Sequence, residues 1–253
     1  MNTNEYLARI NYDGALNPSP ETLAALQVAH LLAVPFENLD IHTGTRIALE
    51  PAGLFHKIVT RKRGGFCYEL NAMFHALLQQ IGFRAKLVSG RVYDANREDY
   101  GPEFDHMLIL VEEGGQTWVV DVGFGDFSMR PLKFIVNTVQ TDASGRFIIE
   151  RYSGDSFRVS RYTVSENRPT PEYIFSTRER RVDDFAAMCA YHQSSPDSHF
   201  TQKRVCTVAT PAGRITLTDD KLIVTADGVR TESPVRDERE FSRLLSHHFG
   251  ITL

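Results

Sequence analysis

One segment constrains this chain more than any other. Arg61-Lys-Arg-Gly-Gly-Phe-Cys-Tyr-Glu-Leu-Asn71 runs into apolar residues at Leu70, Met73, Phe74, Leu77, Leu78 and Ile81, and Gly82 follows. That spacing lays the apolar residues along one face of an α-helix, and the glycine is a stop signal. Cys67 falls in the first turn, where backbone N–H groups lack partners and the helix dipole is positive. The position favours a thiolate, with Cys pKa values of roughly 3.5–7.5 known for such sites. The same N–H groups can hold a developing oxyanion. The alternative is a small core cysteine capping a buried helix. The Gly64-Gly65 approach and the basic Arg61-Lys62-Arg63 lead argue for the reactive reading.

Composition removes several classes. With 42% hydrophobic and 24% charged residues, the 253-residue chain reads as an ordinary globular protein, not a disordered one. A net charge of -4 leaves no electrostatic footprint for nucleic acid. No apolar run approaches the ~20 residues of a membrane helix, and Met1-Asn-Thr-Asn-Glu-Tyr6 carries no secretion signal. Cys67, Cys189 and Cys206 are too widely spaced for a disulfide framework. The expectation is a reduced cytoplasmic protein. No Cys-x-x-Cys or His-Glu-x-x-His is present, so no metal site is expected among the nine scattered histidines.

The expected fold is α+β. Residues 4–13 can form a short helix, and Ser19-Pro20 starts a second one whose Leu23–Val34 stretch is apolar enough to be largely buried. Pro35 stops it, and Val34–His42 reads as a loop. A further helical piece runs from Pro51 to Ile58, so residues 1–83 form a helical unit. From Arg84 the pattern changes to strands at 84–93, 106–112, 117–122, 132–136, 147–153 and 156–164, a small antiparallel barrel or sandwich. Asp183 caps a helix that carries Cys189 as a core residue. The second unit is placed at 84–189. A third, 190–253, holds a polar loop, strands near 204–210, 214–218 and 221–226, and a closing helix from Asp237 to His248.

A nucleophilic cysteine needs a base, and the base needs an orienting group. His75 is eight residues along the same helix, about 12 Å at 1.5 Å per residue, and out of reach. His106 opens the apolar strand His106–Val111, and Asp121 lies in Thr117–Val122. A two-residue turn at Gly114-Gly115 sets His106 opposite Gly123 and puts Asp121 on the same face. Diagonal neighbours there are about 7–8 Å apart, within reach of long side chains. A buried Asp121 among Trp118, Val119, Val120 and Val122 requires such a partner. Cys67, His106 and Asp121 thus fit thiolate, general base and orienter. Taken alone they indicate a Cys–His–Asp acyl transferase, with a thiol hydrolase or transglutaminase-like amidase as the alternative.

Four segments go further. Arg63-Gly-Gly-Phe-Cys-Tyr-Glu-Leu-Asn71, Val34-Pro-Phe-Glu-Asn-Leu39, His106-Met-Leu-Ile-Leu110 and Asp121-Val-Gly-Phe-Gly125, with Ser195-Pro-Asp-Ser-His-Phe200 behind them, resemble the arylamine N-acetyltransferases in chain order. The resemblance implies an N-terminal helical bundle, a central β-barrel and a C-terminal α/β lid, with Cys67, His106 and Asp121 as triad. It implies acetyl-CoA as co-substrate, no tightly bound cofactor, and aromatic amines or hydrazines as acceptors, reached through acetyl-Cys67. By the same resemblance Phe36, Phe124 and Gly125 bound the acceptor slot. Arg63, Glu37 and Asn71 are expected to form a buried network that supports the Cys67 turn. Gly101–Asp105 is where the family lets the pantetheine approach, and there this chain matches poorly.

Overall fold

The structure is a computed structural model, and it describes residues 1–162 and 168–253. The Cys67–Ile81 helix forms as its stripe requires, and Gly82 ends it in the left-handed region at φ 107°, its N–H returning to the Leu78 carbonyl. Every residue from Cys67 to Phe74 is buried. Around this helix run helices at Thr3–Arg9, Pro20–Ala33, Leu39–His42 and Pro51–Phe55, the last continuing as a π-helical turn, His56–Thr60. Ser19 caps the Pro20–Ala33 helix through its hydroxyl, as the Ser-Pro signal predicts. That helix is less buried than its composition implies. Leu23, Leu26, Gln27 and His30 face inward, whereas Ala25 and Leu32 are exposed, because only one side of it meets the rest of the molecule.

Among the described residues, nine strands form one antiparallel sheet. From one edge it runs Leu132–Lys133, Gln116–Val120, His106–Glu113, Arg84–Asp94, Pro169–Arg180, Ser156–Tyr162, Gly145–Arg151 and Val139–Asp142, with Asp99–Tyr100 added on Arg84–Asp94. The chain after Lys133 nearly closes it: Phe134 N–H reaches the Thr117 carbonyl at 2.8 Å, and Asn137 N–H reaches that of Ile149 at 2.8 Å. The result is a nearly closed barrel. Strand alternation then separates two cores. Leu108, Leu110, Val119, Phe147, Val159 and Tyr173 fill the barrel interior. Met107, Ile109, Val111 and Val120 point outward and pack with Leu70, Phe74 and Leu77 of the Cys67 helix.

Several expected elements are redrawn. Val34–His42 is not only loop: Phe36–Glu37 is a short strand paired antiparallel with Val205–Thr210, a partner about 170 residues away that local pattern cannot reveal. The strand expected at 132–136 is Leu132–Lys133, and residues 163–164 of the 156–164 strand lie outside the described residues. It is Asp184, not Asp183, whose carboxylate accepts from the Arg181 N–H ahead of the turn Val182–Phe185. The following helix, Ala186–Ser194, runs through the expected boundary at 189/190, so no break falls there. The C-terminal strands Val205–Thr210, Gly213–Thr218, Lys221–Ala226 and Val229–Pro234 form, with Phe36–Glu37, a second sheet covered by the Glu238–Phe249 helix. Among the described residues no helix is long and apolar enough to cross a membrane.

Candidate active site

Cys67 begins its helix directly after Phe66, whose backbone is extended (φ -95°, ψ -174°). The Glu69 carboxylate accepts from the Phe66 N–H at 3.1 Å and so closes the first turn from within. The glycines ahead of it serve close approach: a Cβ on Gly64 would overlap the Pro35 carbonyl.

Gly114 and Gly115, both at positive φ, make the two-residue turn. Glu113 then pairs with Gln116 and Ile109 with Val120, the register expected from the sequence. The ladder ends at Val120, and beyond it His106 and Asp121 meet through their side chains, Nε2 to Oδ2 at 2.7 Å. The other carboxylate oxygen accepts from Asn71 Nδ2 and from the Gly123 N–H, both at 2.9 Å. Asn71 also donates to the Met107 carbonyl at 2.6 Å and accepts from the Val122 N–H at 3.0 Å. Asp121 is therefore a buried carboxylate with three donors, which meets the cost of burying it. With Nε2 engaged, Nδ1 is the ring nitrogen left to exchange a proton. Phe124 and Tyr173 flank the ring at centroid distances of 5.2 and 5.5 Å.

These parts converge. A Cβ on Gly123 would lie 2.8 Å from the Cys67 Cα, so the turn after Asp121 rests on the backbone of the cysteine. Cys67, His106 and Gly123 line one cleft of about 290 Å³ with Phe36, Phe124 and Asp105. A larger hollow of about 630 Å³ lies along the exposed side of Ala25, Val28 and Leu32, and it is lined by no cysteine or histidine.

Opposing influences act on the thiol. Burial, and after it the Asp105 carboxylate, push the Cys67 thiol well above its ordinary range, with a backbone hydrogen bond from Met107 acting the other way. Burial thus works against the thiolate that the first turn of the helix favours, because the sulfur anion loses its hydration. An adjacent proton acceptor offsets that cost for Cys67.

The remaining expected residues divide. Phe36 and Phe124 line the cleft. Gly125 stands behind Phe36 at φ 91°, where a Cβ would come within 3.8 Å of that ring, and it is not part of the cleft wall. Arg63 binds Glu37, Nε to Oε1 at 3.0 Å, and Asp40 at 2.9 Å. Asn71 is no part of that network; it serves Asp121, because helical spacing turns it toward the strand and away from the Arg63 loop. Sequence reasoning misses the network's other members. Lys57 Nζ lies 2.8 Å from Asp40 and 2.7 Å from Glu69. Only Glu69 leaves a signal, an acidic residue three positions after the helix cap. Of the Gly101–Asp105 approach, Asp105 reaches the cleft, as do His199, Phe200 and Lys203 from far along the chain. Among the described residues no group of three or more His, Cys, Asp or Glu is placed to hold a metal ion.

With this geometry in view, likeness to known proteins is specific. The N-acetyltransferase family model matches residues 19–253. Human arylamine N-acetyltransferase 1 is 31% identical over 275 aligned residues, covering the whole chain and 95% of that protein. The chain belongs to the arylamine N-acetyltransferase family. It is an acetyltransferase by that membership. The pineal gland arylamine N-acetyltransferase isozyme NAT-10 of Gallus gallus is 33% identical, with 100% of this chain and 95% of that one covered. Among solved structures, the arylamine N-acetyltransferase of M. smegmatis superposes with a TM-score of 0.92 at 30% identity, covering 100% of this chain and 93% of that one. The NAT3 enzyme of Bacillus cereus superposes at 0.91 with 27% identity, covering 99% and 98%, and is described as having a unique Cys-His-Glu catalytic triad. In this arylamine N-acetyltransferase the carboxylate bound to His106 is an aspartate.

Proposed function

We propose that this arylamine N-acetyltransferase moves the acetyl group of acetyl-CoA onto the nitrogen of arylamines and arylhydrazines through an acetyl-Cys67 intermediate. The observation that carries this reading is the 2.7 Å His106–Asp121 pair on the cleft that Cys67 lines. In the first half-reaction Nδ1 of His106 takes the thiol proton as Sγ attacks the thioester carbonyl. Backbone N–H groups of the Cys67 turn hold the oxyanion. The tetrahedral intermediate collapses, the C–S bond to CoA breaks, and the CoA sulfur leaves with the proton from His106. In the second half-reaction the amine nitrogen attacks acetyl-Cys67, His106 removes its proton, and the Cys67 thiol reforms as the amide departs. Asp121 keeps the imidazole oriented and stabilises its cationic form, with Asn71 holding the carboxylate.

Phe36 and Phe124 give the acceptor ring two aromatic walls, and Gly125 leaves room for Phe36 to adopt its place. Arg63 and Glu37 support the Cys67 loop. The same reading takes residues 1–83 as the unit that brings the nucleophile and the barrel as the unit that brings His106 and Asp121, in a cysteine-protease-like arrangement. The C-terminal segment then acts as a lid. Three free cysteines accord with a cytoplasmic setting.

Incubation with acetyl-CoA alone is expected to leave one acetyl mass on Cys67, released by an aromatic amine or hydrazine, and none on Cys67→Ala. Steady CoA release without acceptor, at a rate an arylamine does not raise, would instead indicate a thiol hydrolase.

A further inference from the structure

Immediately before His106 in the chain stands Asp105, and among the described residues that line the cleft it is the one carboxylate. Its oxygens are both held. Oδ1 lies 3.1 Å from His192 Nε2, and Oδ2 accepts from the Val92 N–H at 3.1 Å. A methyl at position 101 would overlap this carboxylate, so Gly101 leaves its seat open. The far nitrogen of His192, Nδ1, lies 3.0 Å from the Ser198 hydroxyl. Ser198 in turn accepts from the Phe200 N–H, and Phe200 and His199 line the cleft together with Asp105. Ser198 is only 2% exposed and does not line the cleft, so the Ser198–His192–Asp105 chain resembles a second triad without access to substrate.

We propose that Asp105, seated by His192 on the cleft that Cys67 also lines, is a positioning residue of the acetyl-transfer site: it sets a carboxylate beside the nucleophile and, through His192 and Ser198, anchors the cleft wall to the strand that carries His106. The inference rests on Cys67 being the nucleophile. Three observations agree. Asp105 is the largest charge acting on the Cys67 thiol, ahead of Cys189 and Asp121. Asp105 lines the cleft with Cys67, whereas Asp121 does not line it and is held by His106, Asn71 and the Gly123 N–H; around Asp105 the other titratable groups are His192, His199 and Tyr68. His192 is 3% exposed and packs edge-on to Phe200 at 5.1 Å, so its ring cannot turn away without moving that wall.

Alkylation of Cys67 by iodoacetamide, followed by mass across a pH series on the full chain, reads the ionisation without any acetyl donor. Asp105→Asn keeps the side-chain shape and removes the charge. It is expected to alkylate about tenfold faster at a pH below both midpoints, as for removal of one nearby like charge. An unchanged or slower rate at every pH would overturn the electrostatic role. For the anchor, His192→Leu is expected to raise the acetyl-CoA KM about tenfold with kcat within about twofold, the size expected for one lost hydrogen bond to a charged group. His192→Gln, whose amide can donate to Asp105, should recover the KM. Equal KM values in the leucine variant and the wild type would overturn the anchor. A chain that acetylates no amine would overturn the proposed reaction while leaving the alkylation result to stand by itself.

Discussion

Two buried polar clusters meet at the Cys67 turn, and they are built on opposite principles. On the barrel side, His106, Asp121 and Asn71 form a chain in which each group has a defined partner and one imidazole nitrogen stays free to exchange a proton. On the other side, Lys57 and Arg63 face Glu37, Asp40 and Glu69, three carboxylates for two cations. None of those five residues lines the cleft. The first cluster can change protonation during a reaction. The second holds the loop before Cys67 in place through ion pairs set away from the cleft. The lesson is that charge density does not mark the reactive site here; the free nitrogen and the open cleft do.

The largest expected difference lies in activity. Asp121→Asn should keep the fold but lower kcat about 10³–10⁴-fold, as loss of the orienting carboxylate does in comparable triads, whereas Glu37→Gln should act mainly on stability. A loss for Glu37→Gln as large as for Asp121→Asn, in steady-state CoA release, would break the contrast. Next comes Lys57→Met. Removing one cation from a buried cluster that is already short of positive charge should cost about 3–5 kcal/mol in chemical denaturation. The Lys57 side chain is only 11% exposed, so water cannot replace it. Asn71→Ala is expected to be milder in stability, roughly 1–3 kcal/mol for the polar groups it leaves unpaired, with a kcat loss that Lys57→Met does not show in its folded fraction.

The smallest effect is a slope with pH. Burial, against the pull of Lys57, pushes Glu69 up to about 7 from its ordinary value of 4.5. A carboxyl raised in the folded state binds more protons there than in the unfolded chain between those two values. Its contribution to stability is therefore complete below about pH 4.5 and is lost as pH rises through about 7. Glu69→Gln should flatten the melting temperature across that window, and an unchanged slope would show that the second cluster carries its three negative charges without strain. Asp40 acts in the other direction: Lys57 and Arg63 hold its carboxyl below the usual range despite burial, so its contribution is lost only as pH falls below about 4.

Much of the barrel side was legible. The Gly114-Gly115 turn sets the register by local geometry, and a period of two then decides which side chains share a face, so His106 and Asp121 could be matched without knowing the fold. The Cys67 helix was equally clear because its stripe is continuous. The twelve-residue strand Pro169–Arg180, central in the sheet, leaves no legible pattern in the sequence. Pro169 and Pro171 begin it, a bulge follows between Pro171 and Tyr173, and Arg178-Glu179-Arg180 ends it, so no alternation survives along the segment. The ionic cluster is half visible: the resemblance points to Arg63 and Glu37, but Lys57 and Asp40 look like ordinary surface charges, one in a helical piece and one in a loop, until the fold closes over them.

What the residues alone determined is whatever depends on near neighbours: the Cys67 helix and its stop, the Gly-Gly hairpin, and the face shared by His106 and Asp121. What only the tertiary structure decided is whatever depends on charges and contacts drawn from afar: the acidity of Cys67, the seating of Asp105 by His192 across 87 positions, and the pairing of Phe36 with Thr207. The physical reason is range. Backbone periodicity and turn geometry act over a few residues, whereas desolvation and Coulomb fields are set by everything that packs around a group, whichever part of the chain supplies it.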